Sequence, residues 1–234
     1  IGKYVITQKQ WLALMGSWPE TSPTVGYGLG DSFPAYFVSW YDALNFIEKL
    51  RLHLSQSGQT PLELRLPTEA EWEYACRAGT QTRFYFGDSL ETDDDTCEYD
   101  ALRDQYMWYC ANTTSTQPVG QKLPNAFGLY DMLGNIQEWC EDDWHESYLG
   151  APVDGTAWVD SPRQVNRVKR GGRWNSKANA SRSGSRSGNG PGHRGGNFIG
   201  FRLAADALDP EGEGEPAEGE STEGEGELPV EGEG

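Results

Sequence analysis

Aliphatic side chains are almost missing between Trp174 and Phe198, and acidic ones are missing altogether from Arg163 to Arg202. The second stretch nevertheless carries ten of the chain's 19 Lys and Arg residues, inside a chain of net charge −17. Single arginines alternate there with Ser, Asn, Gly and Ala. A segment so poor in apolar residues cannot build a core. Yet it is bracketed by RGGRW and IGFRLA, which read as buried strand ends. The expectation is a polar, loop-like surface pinned at both ends by structure, a form suited to presenting contacts to a partner.

Other absences narrow the class. No apolar run approaches the ~18 residues that cross a bilayer, so no membrane-spanning segment is expected. No signal peptide is visible, but the chain begins at Ile1 rather than Met, which points to a fragment or a processed form. The four cysteines, Cys76, Cys97, Cys110 and Cys140, lack metal-finger spacing. Cys97 and Cys110 flank one loop-like stretch; a disulfide and two free thiols both remain open, and with them the redox compartment. Basic and aromatic residues are absent from Leu208–Gly234, which holds ten Glu and one Asp. That composition is low in complexity and self-repelling, and disorder is expected. Setting its 11 acidic charges aside takes the net charge from −17 to −6, ordinary for a soluble domain. The tail reads as a solvated spacer, with a specific acidic binding tail as the sharper alternative.

What remains, residues 1–207, fits one domain. Nine Trp, eleven Tyr and eight Phe can supply its core. In residues 38–54, Trp40, Ala43, Leu44, Phe46, Ile47 and Leu50 fall on one helical face, with Ser39 as N-cap. A second helix is expected within residues 65–79: Thr68 and Glu71 form a capping box, and Gly79 ends it. Elsewhere short apolar pieces alternate with Gly, Asn and Pro, which predicts short strands and long ordered loops. The fold class is α+β, with two main helices and much irregular structure.

Four motifs then carry a resemblance: RLPTEAEWEYACRAGT, PNAFGLYDMLGNIQEWCEDDW, RVKRGGRWNSK and NFIGFRLA. Together they resemble the formylglycine-generating enzyme (sulfatase-modifying factor) family over roughly residues 1–205, in order. IGKYVITQKQWLALMG is similar to that family's N-terminal strand and helix, joined midway. The resemblance implies an enlarged C-type-lectin-like fold and an upstream strand or hairpin that this chain lacks. It also implies an oxygen- and copper-dependent oxidation of a cysteine, carried by two thiolates that hold a soft cuprous ion. The positions matching those thiolates are Ser176 and Ser181. Arg173 matches the family's serine before the aromatic residue, and Gln137 matches its tryptophan beside the LGN motif. A serine hydroxyl is neither soft nor acidic enough to replace a thiolate, so copper is not expected and the reading leans away from an enzyme.

The polar segment resembles a second group on the same scaffold, the variable proteins of diversity-generating retroelements. There, adenine-directed mutagenesis rewrites asparagine-type codons. Ser, Gly, Ala, His, Arg, Asp and Phe are reachable replacements. Ser176, Ser181, Ser185, Ser187, Gly190, His193, Gly195, Gly196 and Phe198 stand among Asn175, Asn179, Asn189 and Asn197; Lys177 departs from that set. The expected ligand-contacting residues are Arg173, Asn175, Ser176, Lys177, Asn179, Ser181, Ser185, Ser187, Asn189, His193 and Asn197, with a protein or surface ligand as partner. Ser176, Lys177, Asn179, Ser185, Ser187, Asn189 and His193 are expected to face solvent.

Blander readings stand beside these. Arg182, Arg186, Arg194 and Arg202 read first as structural, bonding loop carbonyls and carboxylates from inside. A nucleic-acid surface is not expected, because only Trp174 and Phe198 are placed to stack bases. His193 reads as a loop residue, and His53 and His145 show no partner at useful spacing. DMLGNIQEW is either pure structure or, as the resemblance implies, a structural calcium site. Its ligands would be the side chains of Asp131 and Glu138 and the carbonyls of Gly134 and Ile136, hard oxygens that suit calcium. The leading function is thus non-enzymatic ligand binding. A formylglycine-type oxidase or related family enzyme, and a structural domain anchored through its acidic tail, are the alternatives. An extracytoplasmic or surface location is the expectation.

Overall fold

A computed structural model describes residues 1–59, 62–88, 93–194 and 196–206. The Glu/Gly-rich tail from Leu208 lies outside the described residues.

Three helices begin in reciprocal capping boxes, which satisfy end groups that would otherwise lack partners. α1 (Gln8–Met15) is capped by Thr7 and Gln10, α2 (Trp40–Gln56) by Ser39 and Asp42. The short strand β1 (Leu64–Arg65) follows, then α3 (Glu69–Arg77), capped by Thr68 and Glu71. Its C-cap is Ala78 at φ 46°, one residue before the expected glycine; Gly79 follows, also at positive φ. α4 (Ala101–Tyr106), capped by Asp100, escapes the sequence reading because one and a half turns carry no legible period.

β2 (Gln137–Asp143), β3 (Arg167–Arg170), β4 (Arg186–Asn189) and β5 (Ile199–Gly200) form a sheet in the order β4-β3-β2-β5. β2–β3 and β3–β4 are antiparallel, and β5 runs parallel to β2. β6 (Ala204–Ala205) pairs with β1 in a separate antiparallel ribbon. The result is α+β with short strands and long loops, as expected, and the two expected helices, α2 and α3, are the longest of the four α-helices among the described residues. None of the described helices is long and apolar enough to cross a membrane.

Alternation along β2 sends successive side chains to opposite faces. Trp139 joins a core with Trp11, Trp40, Phe46, Ile47, Ile199 and Phe201, under α1 and α2. Cys140 and Val168 join a second core with Trp72, Met107, Tyr109 and Met132, under α3. The sheet thus divides two cores, each built around large aromatic rings with aliphatic and sulfur side chains between them.

The bracketing motifs are buried but only partly extended. In RGGRW the strand stops at Arg170, and Gly171 and Gly172 turn at φ 95° and 71°. A Cβ on Gly172 would collide with Ser181. Trp174 is half-buried, not a strand residue. In NFIGFRLA, Ile199, Phe201 and Arg202 are fully buried. The polar segment itself is not all loop, since β4 lies within it. Its ladder with β3 needs no apolar side chains, and Gly188 lets the strand close against Trp144, whose ring a Cβ would meet at 2.8 Å.

Candidate functional site

The basic segment is held down by carboxylates from across the chain. Arg182 forks onto Asp94, with bonds of 2.7 and 2.6 Å. Arg186 does the same to Glu69 at 2.7 and 2.5 Å and lies over the rings of Trp144 and Tyr148. Arg194 reaches Asp42, the capping residue of α2, and also Glu20. Arg202 is fully buried and forks onto Glu138 at 2.6 and 2.8 Å. Arg170 pairs with Glu69 and Glu73, Arg163 with Glu141 and Asp143, and Arg167 with Asp143. Bidentate Arg–carboxylate pairs fix position as well as charge. The structural reading of these arginines is therefore the one the contacts support.

A second support comes from the loop before α4. Asp95 accepts from Asn179 at 2.7 Å and from Lys177 at 3.4 Å, beside the Asp94–Arg182 pair. Cys97 and Cys110 are joined by a disulfide, and the Cys110 N–H donates to the carbonyl of Ser176 at 3.1 Å. Sequence reasoning missed this loop as part of the site, although its three consecutive aspartates, Asp93–Asp95, were a visible counter-charge to the basic segment.

The expected contact residues separate by exposure. Asn175, Lys177 and His193 are exposed; Arg173, Ser176, Asn179, Ser185, Ser187 and Asn189 are half-buried. Ser181 is fully buried, which takes it out of the expected set, and Asn197 keeps only 8% of its surface exposed. Ser181 lies under Gly172, and the backbone carbonyl of Asn197 accepts from the Trp174 indole at 3.2 Å. Ser185 donates to the carbonyl of Asn179 at 2.7 Å, so it serves the loop's own structure. His145, read as partnerless, sits 3.0 Å from Asp160 and stacks on Trp158.

Three positions that depart from the family pattern, or neighbour such departures, meet on one sheet face. Ser187 of β4 stands opposite Lys169 of β3. Gln137 of β2 donates to Ser187 at 3.0 Å and accepts from Lys169 at 3.2 Å. Arg173 lies 3.9 Å from the centre of the Phe198 ring and donates from Nε to Ser176 at 3.2 Å. Burial, helped by the neighbouring Arg173 charge, pulls the Lys169 ammonium down to about 8.

The donor chemistry at the copper positions does not fit copper. Ser176 and Ser181 supply hydroxyls, and the two free thiols, Cys76 and Cys140, are fully buried in the core under α3. Burial pushes Cys76 up to about 12, away from the thiolate that binds metal. The calcium set fits in part. Glu138 accepts three N–H donors, two from Arg202 and one from Trp72, and is neutralised by that guanidinium. Asp131 is buried, accepts from the Gly120 N–H at 2.7 Å, and is pushed up to about 6 by desolvation. Asp131 and the Gly134 and Ile136 carbonyls fall short of the six to eight oxygens calcium takes.

Against known proteins, the chain is 31% identical to PvdO from Pseudomonas aeruginosa, with a TM-score of 0.73 over 88% of this chain and 79% of that one. It is 31% identical to Treponema denticola variable protein 1, with a TM-score of 0.69 over 86% and 82%. It is 34% identical to the formylglycine-generating enzyme of Mus musculus over 85% of this chain, spanning 51% of that protein. The sulfatase-modifying factor enzyme 1-like domain model matches residues 1–207, and the chain therefore belongs to the sulfatase-modifying factor, or formylglycine-generating enzyme, family.

Proposed function

We propose that this domain is a non-enzymatic binding module that displays the polar segment between Trp174 and Phe198 to a protein or surface ligand. The observation that carries the reading is the pair Ser176 and Ser181, which stand where the family's chemistry needs thiolates, with both free cysteines sealed in a core on the α3 side of the sheet. Exposed Asn175, Lys177 and His193 sit on a backbone anchored by arginine–carboxylate clamps, so identity can change there while the fold is held elsewhere. Likeness to a variable protein on the same scaffold supports a diversified segment. The Cys97–Cys110 disulfide supports an extracytoplasmic setting, because such bonds persist in oxidising compartments. A structural calcium ion held by the Asp131 and Glu138 side chains and the Gly134 and Ile136 carbonyls is carried as part of the same proposal.

The test has two arms. Incubation with a sulfatase-type cysteine peptide and copper should leave the peptide mass unchanged; formylglycine formation would falsify the non-enzymatic reading. Replacing Asn175, Lys177 and His193 together should keep stability within about ±0.5 kcal/mol per site, as exposed positions do, while changing which proteins are retained. A fold that collapses on that replacement removes the display surface. A near-copy of the codons for 173–198 beside a reverse transcriptase gene would establish diversification.

A further inference from the structure

Of the ten cations between Arg163 and Arg202, eight lie within ion-pair distance of a carboxylate. The two that do not, among the described residues, are Lys169 and Arg173, and they are neighbours. Lys169 is only 3% exposed. A lysine ammonium has three donors, and the hydrogen bond found for this one goes to a neutral amide oxygen, Gln137 Oε1. Its other neighbour is the Trp139 ring, 5.7 Å away. Arg173 uses Nε for Ser176, stands over the Phe198 ring and is half-buried. A buried ammonium without a counter-charge is costly, and a second cation beside it adds to the cost. Such an arrangement is stabilised by an anion that neutralises both.

We propose that Lys169, Arg173, Gln137 and Ser187 form a site for a carboxylate group of the ligand. The proposal rests on the display reading above and names the chemistry at its centre. The Arg173 fork matches a planar carboxylate with two parallel N–H donors. Lys169 supplies the charge behind it, and Gln137, itself bonded to Ser187, accepts from the ammonium and holds it in place. Arg173 and Gln137 are also the positions where this chain departs from the family's serine and tryptophan. The clamps already satisfy the remaining arginines, and the domain around them is acidic, so an isolated monoanion suits this place better than a polyanion.

The site is tested by titrating the full chain with sodium acetate against sodium chloride at equal ionic strength, following the melting temperature and the NMR signals of the Lys169 side chain. Acetate, and not chloride, should raise the melting temperature and shift the Lys169 signal. Arg173→Gln and Lys169→Met should each weaken acetate at least about tenfold, while Lys9→Gln, an exposed cation paired with Asp31 outside the displayed segment, should leave it unchanged. If Lys169→Met fails to fold, the half-exposed Arg173→Gln still decides. Equal responses to acetate and chloride, or full acetate binding in Arg173→Gln, would overturn the site. A peptide with a free C-terminal acid and its amide separate the sources. The acid bound more tightly than acetate, with its amide unbound, assigns a chain terminus; acid and acetate bound alike assign any carboxylate. Inorganic phosphate binding more tightly than acetate would overturn the monoanion assignment. Failure here, with partner retention still altered by the segment replacements, leaves the display reading intact; turnover of the sulfatase peptide with acetate still bound removes that reading and leaves the site.

Discussion

Glu138 shows how much one buried carboxylate can hold together. It is fully buried, and its oxygens take the Arg202 fork and the Trp72 indole N–H. Arg202 in turn donates to the carbonyls of Gly2 and Tyr130, so this pair ties the N-terminal stretch and the LGN loop to the strand. Breaking a buried pair leaves one charge unpaired and costs about 3–5 kcal/mol. Arg202→Met should therefore lower stability in urea by that amount, and a Glu138→Leu, Arg202→Met double replacement by less than the two singles added. Calcium is decided nearby. A chelator that lowers the melting temperature of the parent chain but not of Asp131→Asn supports the ion; a curve unmoved by chelator removes it. Packing gives a matching contrast. Phe201→Ala should cost about 3–5 kcal/mol, and Trp174→Ala less, because Trp174 is only half-buried.

At the scale of elements, the loop bearing Asp94 and Asp95 is the least legible part of the site and one of its main supports. It lacks a period and an apolar anchor; its place is set by the Cys97–Cys110 link and by charge. A disulfide closing a loop of about this length contributes about 2–4 kcal/mol. Replacing both cysteines by alanine should lower stability by that order and speed amide exchange at Asn179, whose N–H donates to the Asp94 carbonyl at 2.7 Å. Unchanged exchange would show that the ion pairs alone hold the segment. α2 and α3 were legible because their caps and apolar faces are local signals. β4 was not, because its strand character comes from the ladder with β3 and from the anchoring of Arg186, which no period in RSGN announces. The same limit applies to the site: Gln137 and Arg173 stood out as departures from a pattern, but the absence of a counter-charge at Lys169 required the fold.

Across the whole molecule, sequence charge and folded charge tell different stories. The basic segment looks like an exposed patch, yet most of its cations are clamps to carboxylates on α2, α3, β2 and the Asp94 loop. Those clamps carry a pH signature. The Arg182 bond holds Asp94 below the usual carboxylate range, against the opposing effect of burial. Burial pushes Asp42 up, but bonds from Arg194 and Ser39 outweigh it and hold the group low. A carboxylate whose folded pKa is depressed contributes stability above its unfolded value of about 3.9, and that contribution disappears as pH falls through the folded value. Stability should thus fall steeply below about pH 4, and Arg182→Met with Arg194→Met should flatten the fall. Deleting residues 208–234 takes the net charge from −17 to −6 without removing any of these clamps. The truncated and full chains should therefore show the same midpoint in urea and the same acid profile. A truncated chain that loses stability, or whose acid profile moves, would mean that the Glu-rich tail neutralises cations of the domain, with Lys169 and Arg173 as the first pair to examine.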